Sequence, residues 1–184
     1  MRGASHGGAR WGRRVSKDPH AATRRSSSRR DELFDAALDS VAQHGFERAS
    51  LRDIASRAGM SHVGLLRHFN SKEELLAAAL NHEDDRTAAE IRPLLTAGLS
   101  DSEVMQAVMQ IALRDRDRTR RWLSLTLGAV DPTHPAHAWF SGRYDRLVAM
   151  VEDYASRAHR RSDGRFDPRT RALLMLSMLD GLRL

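Results

Sequence analysis

Side chains that can bind DNA follow one another within residues 61–69 of this chain. At 100° per residue, Leu65 and Phe69 share one side of a helix, and the opposite side is centred on Val63 and Arg67. An arginine can form two hydrogen bonds with guanine or bind a phosphate, and a valine can contact a thymine methyl group. The alternative is that Arg67 is a solvated charge and Val63 an isolated apolar residue on the surface.

Five neighbouring residues belong to the same predicted surface. His62, in the first turn, is placed for a base edge or a phosphate, and Ser61 before it is a predicted N-cap. Gly64 allows a close approach of the backbone, and Leu66 flanks the outward face with it. His68 is ambiguous, and a packed or partly exposed structural role is favoured for it.

Helix starts on both sides of this segment can bind phosphates. Ser50, Leu51 and Arg52 begin the preceding helix, whose free N–H groups and positive dipole end can meet an anion. Lys72 begins the following helix in the same way. Ser50 has a cap as its alternative role, and both roles are compatible. Phosphate contacts of this kind fix register rather than sequence.

The elements that position these residues are two short helices around a glycine turn, followed by a third helix. Ser50 with Asp53 fits a capping box, and Ser71 with Glu74 fits another. Gly59 lies where a helix ends in the left-handed conformation that glycine adopts without steric cost. Two helices joined by such a turn are the outline of a helix-turn-helix.

Positive charge is concentrated at the start of the chain. Residues 1–30 hold nine Lys/Arg and one acidic residue, a net charge of +8, and the remainder carries −2. Low apolar content predicts a disordered arm over 1–27, followed by a helix that a Ser28–Asp31 capping box opens. The arm attracts phosphate and can enter a minor groove, or it is a solubilising tail.

The rest of the sequence predicts helices alone. Apolar residues recur at helical spacing and none of the segments alternates as a strand does, so the fold class is all-α. The polar residues from His82 to Arg86 are expected to be exposed, and Pro93 to kink or end its helix. With no long apolar run, no apolar leader segment and no cysteine, the sequence favours a cytoplasmic protein without a membrane span.

Five motifs over about residues 28–80 resemble the tetracycline-repressor (TetR) family of transcriptional regulators; in chain order they are LFDAAL, HGF, SLRDIASRAGMS, LLRHF and NSKEELL. The HPAHAWF and MLDGL segments resemble actinobacterial members of this family. The resemblance implies a homodimer whose N-terminal module binds operator DNA, and a larger helical domain that dimerises and holds a small-molecule effector. It also implies that Lys72 contacts phosphate. Leu66 stands where the family usually has a DNA-contacting tyrosine, and Gly64 where threonine or alanine is commoner.

Effector and dimer residues are expected in the second half of the chain. Adaptable methionines and broad aromatic rings suit an apolar effector, although each is more often plain core; the candidates are Met105, Met109, Trp122 and Trp139. Leu147, Val151, Ala155 and the helix over 168–184 are expected to supply the dimer interface, because that helix is apolar on several faces.

No catalytic set can be assembled from the sequence. His134 and His137 lie three residues apart, but no cysteine or carboxylate cluster completes a metal site. The sequence therefore predicts no enzyme activity, no metal and no cofactor. It predicts a basic arm over 1–27, a DNA-binding domain over 28–87 and an effector-binding and dimerisation domain over 88–184. The alternative function is a helical ligand-binding or scaffold protein that has lost DNA recognition, which Leu66 and the near-neutral body of the chain suggest.

Overall fold

Eight α-helices follow one another in the residues that the computed structural model describes, 19–158 and 166–182. This part of the chain contains no strand, so the all-α prediction is confirmed. The helices are α1 (Pro19–His44), α2 (Leu51–Arg57), α3 (His62–Leu66), α4 (Lys72–Thr96), α5 (Asp101–Arg114), α6 (Arg116–Gly128), α7 (His137–Ala158) and α8 (Pro168–Leu182).

Helix α1 begins earlier than the sequence pattern predicts. Residues 19–27 are helical, so the predicted disorder is wrong for them, and the rest of the predicted arm lies outside the described residues. Ser28 is inside the helix and is not its cap, since its Oγ donates to Glu32 Oε1 at 3.1 Å. A formed helix gains a hydrogen bond for each residue added, so Arg- and Ala-containing chain extends α1 past a local cap signal.

The other predicted helix ends are found at serine caps and glycine turns. Helix α1 ends at His44, and Gly45 follows with φ +79°. The Oγ atoms of four serines accept the backbone N–H three residues on: those of Ser50, Ser61 and Ser71, as predicted, and that of Ser100. Each bond satisfies a donor that the helix start leaves free.

Two apolar clusters hold the helices together. The first joins α1 to the start of α4 and also includes Leu125, Ala129 and Phe140 from α6 and α7. The second joins α5, α7 and α8. Helix α4 packs against both clusters, so the predicted boundary at residue 87 falls inside a continuous helix. Pro93 lies in the last turn of α4, which ends three residues later.

Within the described residues, no helix has the length and apolarity that a bilayer crossing needs.

Candidate nucleic-acid interface

The turn between α2 and α3 fixes the angle of the helix-turn-helix. Ala58 closes α2, and Gly59 follows with φ +63°, a left-handed conformation that a side chain would strain. Met60 N–H then donates to Ala55 O at 2.8 Å, which satisfies a carbonyl at the end of α2. Ile54 and Leu65 are buried on the inner side of the two helices. This packing holds α3 in one orientation.

The recognition segment, residues 61–69, presents one face to solvent. Leu65 is 0% exposed, whereas Val63 is 64% and Leu66 42% exposed, and Arg67 is exposed beside them. Helix α3 is shorter than the predicted 61–69, but Phe69 N–H still donates to Leu65 O at 3.0 Å, so the turn continues to Phe69. The structure therefore brings the predicted base-contacting side chains onto one outward surface.

The beginning of the segment is organised by its cap. Ser61 Oγ accepts the N–H of Gly64 at 3.0 Å. A β-carbon at position 64 would lie 3.0 Å from the same hydroxyl, so a side chain there would displace the cap by a few tenths of an ångström. His62 is half-buried, and His68 is exposed with its N–H donating to Leu65 O. Gly64 thus leaves room for the cap as well as for DNA.

The predicted phosphate-binding residues differ in their exposure and in the groups that they contact. Arg52 is exposed at the start of α2, and Leu51 beside it packs against the first apolar cluster. Ser50 Oγ is engaged by the N–H of Asp53 at 3.1 Å. The other N–H groups of this first turn are the donors that can meet an anion.

Lys72 binds the loop that follows α1. Its Nζ donates to Phe46 O at 2.5 Å and to Glu47 O at 3.3 Å, and it lies 4.2 Å from the centre of the Phe46 ring. The ammonium group therefore ties α4 to the end of α1 in this structure. The sequence pattern did not reveal this role, because the two partners are about 26 residues apart.

A second polar site lies deep in the helical body, and the sequence did not predict it. The stretch from His82 to Arg86 was predicted to be exposed, and that prediction is wrong for Glu83, which is 3% exposed. Its carboxylate accepts a hydrogen bond from Arg118 Nε on α6. Arg118 also donates to Glu90 Oε1 and to Thr87 Oγ1, each at 3.0 Å. The polar run on α4 is a binding surface for one arginine of another helix.

Arg121, one turn further along α6, connects the same region to α1. Its Nη groups donate to Asp35 and Asp39, both at 3.0 Å. Burial lowers the pKa of Arg121, but the hydrogen bond to Asp39 and the charges of both carboxylates outweigh it and raise the pKa above its ordinary value. The pKa of Arg118 is raised in the same way, since Glu83 and Glu90 outweigh its burial. Both arginines therefore stay charged over the whole physiological pH range.

A cavity of about 50 Å³ adjoins this network, between α4, α5, α6 and α7. A volume of this size holds roughly three to five waters, at about 10–15 Å³ for each. Its apolar wall comes mainly from α5, and its polar wall comprises Glu83, Thr87, Asp115, Arg118, Thr119 and Arg143. Glu83 Oε2 is buried, accepts no hydrogen bond within the described residues and lies 3.5 Å from Arg86 Nη1.

Of the four predicted effector residues, one lines this cavity and three do not. Trp122 lines it, with the guanidinium of Arg143 4.9 Å from its ring centre. Met105, Met109 and Trp139 are not among the residues that line it. Met105 packs against the second apolar cluster, and Trp139 donates to Asn81 Oδ1 at 2.8 Å. The cavity is therefore more polar than the predicted methionine and tryptophan set.

The two histidines near the turn before α7 are structural. His134 Nδ1 accepts the N–H of Ala136 at 3.1 Å, and His137 Nδ1 lies 2.9 Å from Ala129 O. Among the described residues no group of three metal-ligating side chains converges.

These features define a class of protein whose described residues form helices alone, with a helix-turn-helix followed by a helical body that contains a cavity. Residues 33–79 match the family model of bacterial regulatory proteins, tetR family. The repressor KstR2 of Rhodococcus jostii is 28% identical over 135 residues, which are 73% of this chain. The chain spans 59% of the length of that repressor.

Solved structures show the same architecture. A crystal structure of a TetR-family transcriptional regulator from Rhodococcus sp. is 26% identical with a TM-score of 0.69, and the match covers 85% of this chain and 86% of that one. AibR, in complex with isovaleryl coenzyme A and operator DNA, is 23% identical with a TM-score of 0.64, covering 84% and 85%. The chain is thus a member of the tetR family of bacterial regulatory proteins, as the sequence motifs predicted.

Proposed function

We propose that this chain is a homodimeric, ligand-responsive regulator of transcription that acts as a repressor at a palindromic operator. The observation that carries the proposal is the orientation of the recognition segment. Leu65 is fully buried, and the outward face with Val63 and Arg67 is held rigidly by the α2–α3 turn. Each subunit places this face in a major groove, with half-sites about one helical turn apart.

The residues of this face have separate roles in the proposal. Arg67 reads a guanine, Val63 contacts a thymine methyl group, and His62 binds a base edge or phosphate. Arg52 and the start of α2 bind the DNA backbone. Lys72 binds the loop that follows α1, and this contact positions the start of α4. From this position its ammonium group also contacts a phosphate.

The dimer interface is the outer face of α8. Leu173, Leu174 and Met178 are 46%, 51% and 55% exposed, which is unusual for three large apolar side chains on one helix. Val151 and Ala155, expected at the interface, are instead buried inside the protomer. A second copy of the chain would cover the α8 face and set the separation of the two recognition segments.

The cavity beside Glu83 and Arg118 is the proposed effector site. Its polar wall shares the ion pairs that join α4 to α6, and Arg121 continues them to α1. A ligand that alters the Glu83–Arg118 pair would therefore change the position of α1 and release the DNA. In AibR the same fold binds an acyl coenzyme A and operator DNA. We place the protein in the cytoplasm, where its operator lies, and assign it no enzymatic role.

Footprinting on the DNA upstream of the protein's own gene tests the proposal. We expect protection of two adjacent half-sites related by twofold symmetry. A protein that protects no DNA and still binds small molecules would contradict it and favour the ligand-binding scaffold.

A further inference from the structure

The first turns of α1 carry positive charge that the major-groove contact does not use. Residues 19–30 include no acidic residue and four arginines, Arg24, Arg25, Arg29 and Arg30. The positive end of the helix dipole lies at the same end.

The cationic start of α1 lies next to the recognition segment. Arg30 Cζ is 5.5 Å from the centre of the Phe34 ring, and that ring lies 6.1 Å from the ring of Phe69, centre to centre. Phe69 closes the last turn of the recognition segment. Two ring contacts in series therefore separate the Arg30 guanidinium from the segment that reads DNA.

Arg29 and Arg30 are available to a partner. Both are exposed, and neither forms an ion pair with a side chain that the structure describes. By contrast, many exposed arginines of the body lie beside carboxylates, as Arg57 does with Asp53 at 2.8 Å. The guanidinium groups of Arg29 and Arg30 are thus exposed and have no carboxylate partner among the described residues.

We infer that Arg29 and Arg30 of α1 form a second DNA-binding surface, which contacts phosphates flanking the half-site that the recognition segment occupies. The inference rests on the proposed function, because it takes the recognition segment to be in the groove. DNA fits better than an acidic protein or a lipid surface, since the adjoining segment already presents its own DNA-binding face. Contacts of this kind add affinity and salt dependence without adding sequence preference.

The test is the salt dependence of binding to a 30-base-pair duplex of random sequence, measured by fluorescence anisotropy on the full chain. For wild type and the double variant Arg29→Ala/Arg30→Ala, log K is followed against log [KCl]. Each lost phosphate contact lowers the slope by about 0.9. At 0.1 M salt this corresponds to about eightfold weaker binding for each contact. We expect the double variant to lose one or two contacts.

Two matched variants distinguish the effect of this surface on DNA binding from the effect of the protein's net charge. Arg116→Ala/Arg120→Ala removes the same charge from exposed positions of α6 and should leave the slope unchanged. Arg29→Lys/Arg30→Lys should keep the wild-type slope. An equal slope change in the α6 variant, or none in Arg29→Ala/Arg30→Ala, would overturn the inference. Loss of binding to anionic vesicles but not to DNA would overturn it in favour of a lipid partner.

The same titration distinguishes the two proposals. A wild-type chain that binds DNA with an unchanged slope in the α1 variant leaves the proposed function standing and removes the α1 surface. A wild-type chain that binds neither random DNA nor an operator removes the proposed function and the α1 surface with it.

Discussion

The proposed DNA-binding module (residues 28–81) and the proposed regulatory region (residues 82–158 and 166–182) are both built from α-helices, but they bury different chemistry. The module's core is apolar, with Ser40 as its buried polar residue, and its functional side chains face outward. The regulatory region buries Glu83, Arg143 and Arg171 and leaves an apolar face of α8 exposed. The module is held by apolar packing that it shares with α6 and α7, whereas the regulatory region also depends on buried charges that must pair.

The buried charges of the regulatory region connect distant helices. Arg171 on α8 pairs with Asp101 at the start of α5, and Tyr154 on α7 donates to the same Asp101 at 3.2 Å. Arg143 on α7 donates to Asp84 on α4 at 2.6 Å. Such pairs contribute modestly to stability, but breaking one partner is costly. They therefore make the region sensitive to ligands and to sequence change at a few positions.

The largest effect is expected in the module's core. Leu65→Ala should lower the free energy of unfolding by about 3–5 kcal/mol, because a fully buried leucine leaves a cavity. Its neighbour is the matched control: Leu66→Ala, at an exposed position, should change stability by about 0.5 kcal/mol or less. Urea unfolding measures both. Equal losses would mean that α3 is not oriented as described.

The exposed face of α8 gives the next largest effect. Leu174→Glu/Met178→Glu should weaken the dimer at least about 100-fold, since it places charges where about 1.5–3 kcal/mol of burial per apolar side chain is expected. Sedimentation at several concentrations measures the shift to monomer. Leu127→Glu, at an equally exposed apolar position of α6, serves as control. A control that dissociates as readily would place the interface elsewhere.

Breaking the Glu83–Arg118 ion pair beside the cavity should give the third largest effect. Arg118→Met leaves Glu83 buried, and we expect a loss of about 2–3 kcal/mol, less than the usual 3–5 kcal/mol because Arg86 remains 3.5 Å away. Glu83→Gln/Arg118→Met should recover most of this loss, because no uncompensated charge stays buried. A double variant as unstable as the single one would show that packing, rather than charge, holds α6 to α4.

The smallest expected effect is a change in the free energy of DNA binding rather than of unfolding. Arg67→Ala should weaken operator binding by about 1–3 kcal/mol per site and leave binding to random DNA nearly unchanged, if Arg67 reads a base. Arg120→Ala, an exposed arginine of α6, is the control. An equal loss on both kinds of DNA would assign Arg67 to a phosphate instead.

The contrast between the two regions also explains what could be read from the sequence. Caps such as Ser61 and turns such as Gly59 act over three or four residues, so local patterns locate them. The burial of Glu83 depends on Arg118, 35 positions further along the chain, and a polar run gives no sign of such a partner. The sequence predicts effector residues among methionines and tryptophans, whereas the polar wall of the cavity includes charged residues from three helices.

The start of α1 shows a different limit. Ser28 and Asp31 have the pattern of a helix start, yet α1 continues from Pro19 through them. Propagation of an existing helix outweighs a single local cap signal. The sequence shows the positive charge of residues 1–30 but predicts a disordered arm over 1–27, so it does not predict that part of this charge lies on a helix.

Selection of bound sequences from random double-stranded DNA tests the central claim most directly. The full chain should enrich two inverted half-sites whose centres lie about one helical turn apart, with a strong preference at the position that Arg67 contacts. Enrichment of no sequence, or of a single half-site without symmetry, would contradict the account of a dimeric operator-binding regulator.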